Sequence, residues 1–277
     1  MPMFEHAGRR ISYLDTAAGT SDAAPVRTLM LLHAFPMNAR MWEPQLGEVP
    51  AGWRVVAPDF RGFGQSDADA SGFDVFIDDY AGDAVALLDY LGVARAVVGG
   101  LSMGGYVAFA LMGQAASRVS GLVLADTKAE ADSAEARSGR LAMITLLQQQ
   151  GVPAVVDQMV PRLLSDETRH ERPEVEQRVR ALAGANTADG IGAALVRMMD
   201  RPDSTHLLPR ITCPALVIVG ERDPVTPPER ARAMQEQMPA AKLVRIPGAG
   251  HLSNLEHPDR FNAALLAFLA STGDSRR

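Results

Sequence analysis

The run Gly100-Leu101-Ser102-Met103-Gly104-Gly105 places a serine between residues without bulk, in the pattern G-x-S-x-G. A serine on a sharp strand-to-helix turn presents its hydroxyl outward, and small neighbours are what the strained backbone there tolerates. A helix starting at that point aims N–H groups at developing negative charge. The hydroxyl is a weak nucleophile until a base removes its proton. The chain has six histidines, and His251 is the candidate base because it follows Gly248-Ala249-Gly250 just past an apolar run at 243–246. Loops at the C-terminal ends of parallel strands are where such sheets place their sites. His257, in Glu256-His257-Pro258-Asp259, reads as a helix start, and His33 as a buried loop anchor.

The base needs a carboxylate to hold its tautomer. Asp223 directly follows the apolar run 215–219 and precedes His251, giving the chain order serine, acid, histidine. Asp126, after the run 121–125, is the rival; its structural alternative is to cap the following segment together with Thr127. A tetrahedral oxyanion needs donors. The backbone N–H of Met103 follows the serine, and Phe35 N–H in His33-Ala34-Phe35-Pro36 is the second choice, since Pro36 has none. Together these residues describe acyl transfer through a covalent serine ester, with no cofactor and no metal called for.

Such a constellation requires strands that end where the loops begin. Runs at 28–32, 54–57, 96–99, 121–125, 215–219 and 243–246 read as buried strands. Helical periodicity lies between them, at 76–91, 106–116, 230–238 and 261–269. Alternation of this kind predicts a mostly parallel sheet with helices on both faces. The first residues, with Gly8-Arg9-Arg10 between 3–5 and 11–13, predict an antiparallel hairpin at one edge. Between 128 and 209 the alternation stops. Helical pieces at 141–150, 154–164, 175–183 and 191–199 are punctuated by glycine and proline. The expected organisation is a core of residues 1–127 and 210–277 with a helical cap, 128–209, inserted after the sixth strand.

At this point the chain resembles the α/β-hydrolase fold family. His33-Ala34-Phe35-Pro36 stands where the family has His-Gly-x-Pro, with Ala34 for the glycine. Asp59-Phe60-Arg61-Gly62-Phe63-Gly64-Gln65-Ser66 resembles its D-x-R-G-x-G-x-S turn. Gly100 to Gly105, Asp223 and Gly250-His251 match the nucleophile, acid and histidine loops. Within the family, Thr226-Pro227-Pro228-Glu229, His251-Leu252-Ser253-Asn254-Leu255-Glu256 and Arg172-Pro173-Glu174-Val175 are similar to the 3-oxoadipate enol-lactonase and carboxylesterase branch. The resemblance implies a small-molecule ester or lactone as substrate. Lactonases of that branch also hold a dianion, for which Arg162, Arg169, Arg172 and Arg197 are the candidate cations. Carbon–carbon bond hydrolysis by the same serine chemistry is the alternative reaction. A ligand receptor on the same fold is the alternative class, and a receptor has no need of all three polar residues. Relatives that open epoxides or remove halides need a carboxylate nucleophile, which Ser102 is not.

Composition narrows the field further. The 277 residues are 47% hydrophobic and 22% charged, a soluble globular balance, and the net charge of -6 argues against a broad surface for nucleic acid. One cysteine, Cys213, excludes an intrachain disulfide. No apolar run of membrane-spanning length and no leader are seen, which predicts a cytoplasmic protein without a membrane partner. The polar end, 271–277, is expected to fray. Aromatics are only 5% of the chain, and none lies in 128–209. A pocket under that segment must be aliphatic and thioether in lining, with Met143, Met159 and Met198 as candidates and Trp42 and Tyr106 as aromatic contributions from the core.

Overall fold

The computed structural model describes residues 1–17, 27–69 and 75–272. Eight strands form one sheet: β1 Met3–His6, β2 Arg9–Asp15, β3 Arg27–Leu32, β4 Trp53–Pro58, β5 Ala96–Leu101, β6 Val119–Ala125, β7 Ala215–Gly220 and β8 Ala241–Ile246. Their order is β1-β2-β4-β3-β5-β6-β7-β8. Pairing is antiparallel for β1–β2 and β2–β4 and parallel elsewhere. The edge hairpin turns one step earlier than its sequence suggests. Arg9 already pairs with His6 and Arg10 with Glu5, because Ala7 and Gly8 alone make the turn with φ of 49° and 72°. Two consecutive residues at positive φ match the twist of the flanking strands.

Strand alternation builds a core on each face. Met30, Leu32, Val56, Val98, Leu122 and Val217 face one buried cluster, while Leu29, Leu31, Val55, Val97, Val123 and Leu216 face the other. The period of two thus turns continuous apolar runs into a doubly covered sheet. Short α1 (Glu43–Leu46) follows a 3₁₀ turn at Ala39–Trp42; α2 (Ile77–Tyr90) and α3 (Met103–Ala115) cover the first face.

Between β6 and β7 come α4 (Ala134–Leu163), α5 (Asp166–Glu171), α6 (Pro173–Gly184) and α7 (Ala188–Asp200), then a 3₁₀ turn at Thr205–Arg210. The helix α4 breaks at Gly151, which has φ 76° and ψ -173°. No apolar periodicity announces α5, whose sequence is Asp-Glu-Thr-Arg-His-Glu; it is set by its ends. Ser165 Oγ accepts from Thr168 N–H at 3.2 Å, with acids in the first turn and Arg169 and His170 in the last. The chain closes with α8 (Pro228–Glu236), α9 (Ser253–Glu256) and α10 (Pro258–Ser271). His257 stands at the head of α10 with Pro258 in its first turn. Ser271 belongs to α10 and is not frayed; residues 273–277 lie outside the described residues. Among the described residues no helix is long and apolar enough to cross a membrane.

Candidate active site

The turn from β5 into α3 is dictated by contact distances. A Cβ on Gly100 would lie 2.1 Å from Gly104 O, and one on Gly104 would lie 2.1 Å from Leu32 O. No side chain fits at either place, so the serine turn can pack against β3 only with these glycines. Ser102 itself has φ 54° and ψ -112°, a strained conformation for a residue with a side chain. Its carbonyl accepts from Gly105 N–H at 2.9 Å and from Thr127 Oγ1–H at 2.8 Å, which pins the turn to the end of β6.

Three side chains from distant parts of the chain converge there. His251 Nε2 lies 2.8 Å from Ser102 Oγ, and His251 Nδ1 lies 2.8 Å from Asp223 Oδ2. Ser102 is 8% exposed, and His251 and Asp223 still less. The carboxylate is held on its own side by Val225 N–H at 2.8 Å, Thr226 N–H at 3.0 Å and Thr226 Oγ1–H. Burial acts to raise the Asp223 carboxyl, but the imidazole and the Thr226 donors outweigh it, and its pKa falls below the ordinary value. Burial acts to lower His251, yet Asp223 and, more weakly, Asp126 and Glu256 prevail and raise it. An ionised acid therefore faces Nδ1 and holds the proton there.

Asp126 takes neither expected position. Its Oδ1 accepts from Gly220 N–H at 2.7 Å and its Oδ2 from Ser253 N–H at 3.3 Å, so it ties the end of β7 to the start of α9. It caps no helix of the insertion, because both of its oxygens are taken by Gly220 and Ser253. Complete burial, and then the nearby Asp223, push its carboxyl up to about 8.

Neither Phe35 N–H, on the loop after β3, nor Met103 N–H, at the head of α3, donates to a protein acceptor among the described residues. His33 anchors that loop: Nδ1–H donates to Ala34 O at 3.0 Å and Nε2 accepts from Phe60 N–H at 3.0 Å. Burial holds the His33 imidazole down at about 4, so it stays neutral with its tautomer fixed. The Asp59–Ser66 turn is structural. Asp59 accepts from Ala39 N–H at 2.8 Å and Gln65 N–H at 3.1 Å, and Arg61 makes two bonds to Asp83 at 2.6 and 2.8 Å.

The residues suggested for a pocket divide. Trp42 is 1% exposed and packs on Phe261 of α10 at 6.1 Å, a core position. Tyr106 carries the Arg201 guanidinium 3.8 Å over its ring. Met198 is buried with its sulfur 3.4 Å from Arg140 Nη1. Met143 and Met159 on α4 are half-buried. The suggested anion-holding arginines are otherwise engaged. Arg197 is 0% exposed and pairs with Asp69 at 2.5 Å and Asp79 at 3.3 Å, beneath Tyr80. Arg169 pairs with Glu176 at 3.1 Å, Arg172 donates to the Glu256 carbonyl, and Arg162 is exposed. Sequence spacing does not reveal these partners because each lies in another element. Thr226 was nearer to hand, since an Asp three residues before a Thr in a turn is a local hydrogen-bonding pattern.

A family model described as the alpha/beta hydrolase family matches residues 29–264. Among curated relatives, 3-oxoadipate enol-lactonase 2 of Acinetobacter baylyi is 28% identical over 271 residues, 97% of this chain and 98% of its own. Among solved structures, a thermophilic esterase from Thermogutta terrifontis aligns with a TM-score of 0.89 at 36% identity, covering 98% of this chain and 97% of that one. The enol-lactonase from Burkholderia xenovorans aligns at 0.87 with 28% identity, covering 97% and 100%.

Proposed function

The chain belongs to the α/β hydrolase family, and from that premise we propose that it is a serine hydrolase of carboxylic esters and lactones. The observation that carries this reading is the continuous line Ser102 Oγ, His251, Asp223, with both contacts at 2.8 Å. Ser102 Oγ attacks the substrate carbonyl carbon while His251 Nε2 takes the hydroxyl proton. Asp223 keeps Nδ1 protonated and stabilises the imidazolium. The Phe35 and Met103 N–H groups face the oxyanion. Collapse of the tetrahedral adduct expels an alkoxide, which receives the proton from Nε2. Water then attacks the acyl-Ser102 ester, His251 takes its proton, and the carboxylic acid leaves as Ser102 regains its hydrogen. Residues 128–209 act as the cap over the core formed by 1–127 and 210–277, and Met143 and Met159 remain its pocket-lining candidates.

The engaged arginines favour neutral over dianionic substrates. Three of the four suggested cations have protein partners, and the fully buried Arg197 would have to leave Asp69 and Asp79 to meet a substrate. A substrate panel tests this. Short neutral esters and lactones should turn over faster than an anionic enol-lactone, and Ser102→Ala should abolish all of it. Ester hydrolysis that persists in Ser102→Ala would refute the mechanism, and a preference for the anionic lactone would refute the substrate reading alone.

A further inference from the structure

A buried carboxylate joins the loop that carries His251 to the helical insertion. Glu256 is 0% exposed. Its Oε1 accepts from Gly250 N–H at 2.8 Å, and its Oε2 accepts from Ser165 N–H at 2.8 Å. Gly250 immediately precedes His251, and Ser165 caps α5. The two segments also touch directly: Leu163 O accepts from both His251 N–H and Leu252 N–H at 3.1 Å. A Cβ on Gly250 would sit 2.6 Å from Ser165 N and 3.0 Å from Glu256 Oε1, so nothing larger than hydrogen fits between loop and insertion. Arg172, at the head of α6, donates to the Glu256 carbonyl and, at 2.9 Å, to Thr168 Oγ1.

We propose that Glu256 is a positioning residue: it clamps the His251 loop onto the junction of α4 and α5, making the insertion a fixed wall of the histidine's socket. The proposal rests on His251 being the base. The physical reason is satisfaction. Two buried N–H groups on different segments need acceptors, and one carboxylate with an oxygen for each binds them rigidly. The imidazole then has little freedom to leave the line to Ser102, where a displacement of about 1 Å costs about 100-fold in rate. The charge contributes separately. Asp223, Asp126 and Glu256 are the acidic groups acting on His251, and Arg172 is the cation bonded to Glu256, through its carbonyl.

Two variants separate geometry from charge. Glu256→Gln keeps the volume but turns an NH₂ group towards one donor and removes the negative charge. It should lower kcat by about 10- to 100-fold with KM held within about twofold. The acidic limb of kcat/KM should move to lower pH, because one group that raises His251 is gone. Ser165→Pro deletes one clamped N–H together with the α5 cap hydroxyl, for which Ser165→Ala, which keeps the N–H, is the control; φ of -66° suits proline, and Leu164 is extended with φ -121° and ψ 149°. It should lower kcat in the same way and leave the acidic limb in place. Folded fraction is followed by thermal melting, and if Glu256→Gln fails to fold, Ser165→Pro carries the test. Wild-type kcat per folded molecule, with an unmoved acidic limb in Glu256→Gln, overturns the clamp. When Ser102→Ala is inactive in the same assay, that outcome removes the clamp alone; when Ser102→Ala stays active, the reading of the site has failed first.

Discussion

Ser102, Asp223 and His251 leave the C-terminal ends of β5, β7 and β8, and their places follow from backbone geometry. Glycines that admit no Cβ close the serine turn, and parallel hydrogen bonding sets the strand ends. The helical insertion relies more on side chains. Beside backbone contacts at Leu163 and Gly190, it is joined to the core by polar side chains: Arg197 to Asp69 and Asp79, Asn186 Nδ2–H to Pro36 O at 2.6 Å, and Thr187 Oγ1–H to Gly62 O at 3.1 Å. Backbone-determined positions repeat wherever the strand pattern repeats. Side-chain-determined positions depend on single residues, so one substitution can undo them.

That contrast orders the expected effects. The largest belongs to the sheet side. Asp223→Ala removes the group that holds the His251 tautomer, and kcat should fall by about 10⁴-fold while the melting transition survives. Asp126→Asn keeps an acceptor for one of Gly220 and Ser253 and turns an NH₂ group towards the other, but it leaves Asp223 on His251 Nδ1, so it should cost about 100-fold at most. Steady-state kinetics on the pair decides the identity of the acid, and the reverse ranking would make Asp126 the partner of His251.

On the insertion side, Arg197→Leu leaves Asp69 and Asp79 without their buried cation. Asp69 keeps Arg9 and Arg61, so the fold should lose about 3 kcal/mol in urea denaturation, the low end for a broken buried pair. A loss below about 1 kcal/mol would mean that apolar packing, and not the ion pairs, fixes the insertion. The next effect lies in the loop beneath both regions. The pKa of His33 is about 4 in the folded chain against an ordinary 6.5, so the unfolded chain binds the extra proton between those values. Stability is therefore whole above pH 6.5 and falls as pH drops through 4, by about 3 kcal/mol from this group. Urea titrations from pH 7 to 4 should show that fall, and His33→Asn should reduce its slope. An unchanged slope would mean that other groups govern acid unfolding.

Legibility in the sequence follows the same division. The strand runs, the G-x-S-x-G turn and the positions of Asp223 and His251 are all local signals, and the fold and the convergence of the three residues follow from them. The Asp59–Ser66 turn reads correctly as structural for the same reason. What sequence does not convey is the partner of a polar side chain. Arg172 and Arg197 look like free cations on helices, and their partners lie 84 and 128 residues away in the chain. Asp126 looks like a helix cap because only its neighbours in sequence are visible, whereas both of its oxygens are taken by Gly220 and Ser253. Trp42 looks like a pocket wall by proximity to the Phe35 loop, but the turn at Ala39–Trp42 carries it down onto α10. The helix α5 has too few apolar residues to declare itself.

The central claim is that Ser102 is a nucleophile activated by His251. Incubating the protein with a fluorophosphonate and mapping the adduct by peptide mass spectrometry addresses it most directly. The account predicts a stoichiometric phosphonyl adduct on Ser102, formed rapidly in the wild type, slowly in His251→Ala and not at all in Ser102→Ala. An unlabelled Ser102 in folded protein, or labelling whose rate ignores the loss of His251, would contradict it.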